Sequence, residues 1–173
     1  MSDAPPHPSS LITPESVRNF LPGSFPGDLG IEPLEVEDTH ARGRILVDER
    51  HLHPGGFVHG GVWTALGDTV AAWATFRNMP PVHDFTTIEL KLNVFGAAVK
   101  GDELICEARP LHVGRSTAVI EAKMRKGPHQ TGSSSLRSED PRMIANLIVT
   151  QFVLPGRDPR AERPAPGDYP PGD

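Results

Sequence analysis

Residues 62–76 read VWTALGDTVAAWATF and carry one charged side chain, Asp68. A stretch this apolar must be buried, and it is too long for an ordinary strand, so the chain has to build its interior around one long helix. An ionised carboxylate is costly to bury without partners, which makes Asp68 the first catalytic candidate. At about 100° per residue, Asp68 shares a stripe with Gly61, Thr64, Ala65, Ala71, Ala72 and Thr75, all small. Val62, Trp63, Leu66, Val70 and Trp73 fall on the opposite face, where large side chains suit the concave side of a sheet. One face is expected to pack and the other to leave room for an approaching group.

On either side of this helix the period changes to two. Residues 29–38 and 42–47 read as a first strand pair, with Ala41, Gly43, Ile45 and Val47 on one side of the second strand. In residues 87–95, Ile88, Leu90, Leu92 and Val94 alternate with Glu89, Lys91 and Asn93, the pattern of a half-buried antiparallel strand. Residues 102–109 and 115–125 predict two more strands around a turn at 110–114, and residues 143–154 a last one. Two strands, a helix and four strands imply an α+β fold, an antiparallel sheet of five to six strands wrapped around one long central helix.

Proline marks the edges, since 13 of the 19 prolines fall in residues 1–33 and 155–173. Thr13 before Pro14 and Glu15 predicts the N-cap of a short helix reaching about Leu21. The expected organisation is an N-terminal extension over 1–28, one domain over 29–154 and a Pro-rich disordered tail over 155–173. Residues 126–142 are expected to form a long loop without a legible role.

The turn Gly55-Gly56-Phe57-Val58-His59-Gly60-Gly61 leads straight into the central helix. Gly60 and Gly61 leave the first backbone N–H groups unshielded at the positive end of the macrodipole, where a developing oxyanion could sit. His51 and His53 are expected to alternate along an extended segment. No helical His pair or Cys pair accompanies them, so no metal and no cofactor is implied. Ser133 to Ser135 lack the closing glycine of a serine-hydrolase elbow. A net charge of −5 without a basic run argues against nucleic acid. A single cysteine, Cys106, reads as a small buried hydrophobe. With no signal-like N-terminus and no apolar run of membrane-spanning length, a cytoplasmic location and no membrane partner are expected.

His53 to Ala74, followed by Phe85-Thr86-Thr87-Ile88-Glu89-Leu90-Lys91-Leu92-Asn93 and later by Leu111-His112-Val113-Gly114-Arg115-Ser116, resembles the phenylacetate-type (PaaI-like) branch of the hotdog-fold acyl-CoA thioesterases. The likeness covers residues 29–154, and its most specific element is His-Gly-Gly followed by Leu-Gly-Asp. It implies hydrolysis of an acyl-CoA, with Asp68 as nucleophile or general base and the Gly60 amide polarising the thioester carbonyl. It also implies that His59 orients that carbonyl and that Thr87 assists from a neighbouring subunit. Where the family commonly has Asn, six residues before the motif His, this chain has His53, which can likewise donate or accept a hydrogen bond. Gly61, Thr64, Gly114, Arg115 and Ser116 are the expected substrate-binding positions, Arg115 as a charged fork for a coenzyme A phosphate. A homodimer or homotetramer is implied. The rival activities are an enoyl-CoA hydratase on the same fold and a non-catalytic acyl-CoA-binding protein.

Overall fold

The computed structural model describes residues 12–79, 84–127 and 142–154. Most of the loop expected over 126–142 and all of the tail over 155–173 lie outside these residues. Helix α1, Pro14–Phe20, starts as the sequence predicts: the Thr13 side chain accepts from Ser16 N–H while Ser16 Oγ accepts from Thr13 N–H. Such a cap is worth about 1 kcal/mol. A four-residue helix, α2 (Phe25–Asp28), takes the first residues of the expected opening strand, so strand β1 is shorter, Glu32–Val36. Strand β2 is Ala41–Leu46. The central helix α3 spans Gly60–Asn78, and strands β3 (Asp84–Val94), β4 (Glu103–Val113), β5 (Thr117–Lys126) and β6 (Met143–Leu154) follow.

The six strands form one antiparallel sheet in the order β1-β2-β4-β5-β6-β3. Strand β3, which follows α3 in the chain, therefore crosses to the far edge, where β6 is its one neighbour among the described residues. The inner faces of the middle strands are lined by small residues, among them Gly43, Cys106, Ala108, Ala118 and Ala122, all buried. This shallow floor receives the large side chains of α3: Val62, Trp63, Leu66, Val70 and Trp73 are all buried, as the helical wheel predicts. Two glycines set the distance of approach. A Cβ on Gly43 would stand 2.8 Å from both Trp73 Cζ3 and Val70 Cγ2, and one on Gly67 would stand 2.5 Å from Met124 Cε. Cys106 is fully buried, and desolvation holds its thiol far above the ordinary range, which makes it inert packing.

Three expectations change. The turn placed at residues 110–114 is strand: β4 runs on to Val113, with its ladder slipping between Pro110 and His112, because Pro110 has no N–H to give. The alternation in β3 is broken by a bulge between Thr87 and Glu89, and Ile88, Leu90 and Val94 stay exposed because an edge strand has a neighbour on one side only. His51 is not on an extended segment. It ends a 3-10 turn, Glu49–His51, and is wholly buried.

Candidate active site

The approach to α3 is built by two histidines with different tasks. His51 Nδ1 accepts from the Asp48 N–H, its Nε2 lies 2.9 Å from the Leu29 carbonyl, and its own carbonyl accepts from His59 N–H at 2.9 Å. A ring satisfied at both nitrogens is a structural post, and here it pins the residue that starts the helix. Between the two posts, residues 52–58 double back: Leu52 bridges Val58, His53 N–H donates to the Phe57 carbonyl, and Gly56 takes φ +83°, a conformation suited to glycine.

His59 is the N-cap of α3. Its Nδ1 accepts from Gly61 N–H at 2.9 Å, so in the neutral ring the proton sits on Nε2 and that nitrogen is a donor. Gly61 is thereby taken, whereas the exposed Gly60 N–H donates to no acceptor among the described residues. A Cβ added at Gly60 would meet nothing within 4 Å, so the approach to this amide is open. His53 follows the same logic. Its Nδ1 accepts from Gly55 N–H at 2.9 Å, its ring tilts against Phe57 at 5.9 Å between centroids, and Nε2 is the nitrogen left to donate.

Asp68 lies two turns into α3 and is half-buried. Its one hydrogen bond to a side chain comes from Thr87 Oγ1 on β3, 3.1 Å from Oδ1. No cation faces it. Burial raises its pKa above the usual carboxylate value and the Thr87 bond only partly opposes this. Thr87 makes this contact within the chain: the crossing from α3 to the far edge brings β3 under the helix that precedes it.

The stripe of small residues divides. Thr64, Asp68 and Ala72 are partly exposed, but Ala65, Ala71 and Thr75 are buried. Thr64 Oγ1 turns back to the Gly60 carbonyl at 3.2 Å. Gly114, Arg115 and Ser116 form the β4–β5 turn, where Gly114 N–H donates to the Thr117 carbonyl. Arg115 is exposed and has no hydrogen bond or ion pair among the described residues, and the turn makes no bond to Asp68 or to the histidines. The arginine is available to a ligand, without being placed on the acid.

One polar group escaped the sequence reading. Gln151 on β6 is fully buried, accepts from Thr75 Oγ1 and has no partner for its Nε2 among the described residues. The alternation Val149, Gln151, Val153 could have revealed it, since it puts an amide on the inward face of an apolar strand.

A carboxylate with a raised pKa, a hydroxyl on it, two imidazole N–H donors and a free amide at a helix N-terminus can polarise a carbonyl and activate a nucleophile. The thioesterase superfamily model matches residues 55–133, the stretch that supplies Asp68, Thr87, His59 and Gly60, with His53 just before it. The chain is 32% identical over 97 residues to a 1,4-dihydroxy-2-naphthoyl-CoA hydrolase of Listeria monocytogenes, covering 56% of this chain and 77% of that protein. The fold is shared with the PaaI protein of the Escherichia coli phenylacetic acid degradation operon, at a TM-score of 0.69 and 17% identity over 87% of this chain and 96% of that one. It is shared too with a Streptococcus pneumoniae thioesterase protein solved with coenzyme A, at a TM-score of 0.61 and 21% identity over 73% and 88% of the two chains. Fold and sequence agree over the same residues, and the chain belongs to the thioesterase superfamily of hotdog-fold proteins.

Proposed function

We propose that this protein hydrolyses an acyl-CoA thioester to a free acid and coenzyme A. The observation that carries the reading is Asp68, a half-buried carboxylate that among the described residues has a single threonine hydroxyl as side-chain partner and no counter-ion. A structural acid inside a protein is normally paired, whereas a base or nucleophile has to keep its charge available. The names of the Listeria relative and of the coenzyme A-bound Streptococcus neighbour support the choice of a CoA thioester.

In this mechanism the thioester carbonyl lies against Gly60 N–H, with the Nε2–H of His59 or His53 as a second donor. Asp68 either takes a proton from water as it attacks or attacks the carbonyl carbon itself, forming an anhydride that water then opens. In both routes the C–S bond breaks and the thiolate leaves, taking up a proton to give coenzyme A. Thr87 holds the Asp68 carboxylate in place, and Gly61 fixes His59. Thr64, Gly114, Arg115 and Ser116 are assigned to the substrate, Arg115 by its open guanidinium.

Release of free thiol from a panel of acyl-CoAs, followed with a thiol reagent, tests the reading directly. Loss of an enoyl double bond at constant thiol would make the protein a hydratase, and neither change would make it a binding protein.

His53 offers a finer test. Because its Nδ1 is occupied, the group it can present is Nε2–H, and an Asn amide at the same place supplies an equivalent donor. His53→Asn is expected to keep most of kcat, whereas His53→Ala loses on the order of ten- to a thousandfold, the range for a removed transition-state donor. Two variants with parental kcat would take His53 out of the mechanism.

The edge strand β3 leaves one side of its ladder open and exposes Ile88, Leu90 and Val94 beside Phe95. An unpaired, apolar edge of this kind favours association, and a homodimer or homotetramer is proposed. Light scattering at micromolar concentration should give at least twice the mass of the 18.7 kDa chain, and a monomer would overturn the assembly.

A further inference from the structure

Two side-chain hydrogen bonds tie α3 to the β3–β6 pair. Thr87 on β3 bonds Asp68, and Gln151 on β6 bonds Thr75, seven residues and about two turns further along the same side of the helix. The strand residues are not independent. Thr87 and Gln151 stand directly opposite each other in the ladder, immediately before the bulge that breaks the β3 register. Opposed residues in an antiparallel pair project to the same face with Cβ atoms about 5 Å apart. Here that face is turned to α3, as their two bonds demonstrate.

Gln151 is an expensive residue at this position. It is fully excluded from solvent, and its Nε2 has no acceptor among the described residues. A buried polar group without a partner costs stability that Leu or Met at similar volume would not. The direction of the existing bonds suggests what the amide is for. Thr75 O–H donates to Gln151 Oε1, and Thr87 O–H donates to Asp68 Oδ1. The unused donor is Gln151 Nε2, and directly across the ladder Thr87 Oγ1 has lone pairs that its bond to Asp68 does not use.

We propose that Gln151 is a positioning residue for the candidate active site, its amide completing the chain Thr75, Gln151, Thr87, Asp68, in which every donor points towards the carboxylate. In this arrangement the amide fixes the Thr87 hydroxyl as a donor to Asp68, and Thr75 fixes the amide. Gln151 touches neither substrate nor reacting atoms; it acts through Thr87. The proposal builds on the catalytic role of Asp68, but the link from Gln151 to Thr87 can be tested whether or not the protein is a thioesterase.

The test therefore has an arm without catalysis. The Asp68 carboxyl is titrated by carbon NMR in the full chain for the parent, Gln151→Leu, Thr75→Val, Thr87→Val and the double variant Gln151→Leu/Thr87→Val. Burial raises the Asp68 pKa and the Thr87 hydrogen bond lowers it, so losing the Thr87 donor raises the midpoint. Gln151→Leu and Thr75→Val are expected to raise it in the same direction, and Gln151→Leu to add nothing once Thr87 is absent. Thr75→Ser, which keeps the hydroxyl, restores the parental midpoint. In the kinetic arm, Gln151→Leu lowers kcat about three- to tenfold with KM little changed, and its acidic limb moves to higher pH.

A Gln151→Leu midpoint equal to the parent's, or one that moves equally with and without Thr87, overturns the proposal. If Gln151→Leu does not fold, Gln151→Met and Thr75→Val decide on the same criterion. A parent that releases no thiol overturns the thioesterase reading alone, because the titration still decides whether Gln151 acts on Asp68.

Discussion

Asp68→Asn is expected to lose at least about a hundredfold in thioester hydrolysis, the usual scale for a positioned acid or base, while folding and binding acyl-CoA as before. The substitution keeps shape and volume, and Thr87 can still donate to the remaining carbonyl oxygen. What disappears is the negative charge, and with it both nucleophilic attack and proton abstraction. Stability separates this from a structural role. Burial raises the Asp68 pKa in the folded protein, so the native state binds this proton more tightly than the unfolded chain does. Stability from this group is then full at pH below its unfolded value and is lost as pH rises through the folded value. At neutral pH the charge opposes folding, and Asp68→Asn should melt at the parental temperature or above it. The rate runs the other way. Catalysis needs the ionised form, so kcat should fall as pH drops through a midpoint above the usual carboxylate range, and Asp68→Asn should lack that limb. An Asn variant with parental kcat would refute the assignment, and one that unfolds would make Asp68 a structural acid.

Trp73→Ala should be the most destabilising single change on the packed side of α3, costing about 3–5 kcal/mol by urea unfolding at fixed protein concentration. Trp73 is buried on the sheet floor at Gly43, where a Cβ would meet Trp73 Cζ3 and Val70 Cγ2 at 2.8 Å and the Glu32 carbonyl at 3.2 Å. Gly43→Ala should therefore cost about 1–3 kcal/mol through overpacking, since the Glu32 backbone cannot swing aside as a side-chain tip could. The two effects should not add. With Trp73 gone, the strongest contact of the new methyl is gone too, and Gly43→Ala should become much cheaper in that background. Additive losses would mean that the glycine is required for the strand rather than for the indole.

The elements of this fold were legible in the sequence because each carries its own period. Residues 62–76 place large side chains on one face of a helix, and the alternation in residues 143–154 gives a strand with the bounds observed, Met143–Leu154. Asp68 stood out for an equally local reason, a lone charge in an apolar run. The His-Gly-Gly turn marked where that helix starts, and the structure makes His59 its cap. Departures arose where a neighbour in space overrode the local pattern. Pro110 stays in a strand because β5 holds it, and the alternation in β3 slips at a bulge that only its pairing with β6 defines.

What surrounds the acid was decided by the tertiary structure alone. Thr87 reaches Asp68 from 19 residues away, because β3 crosses to the far edge and passes beneath the helix before it. Gln151 meets Thr75 across 76 residues and Thr87 across the β3–β6 ladder. Periodicity says which way a side chain points from its own element, and it is silent on what another element brings to meet it. The sequence by itself therefore determined the helix, the strands and the misplaced charge; strand order and register determined which hydroxyl and which amide that charge would find.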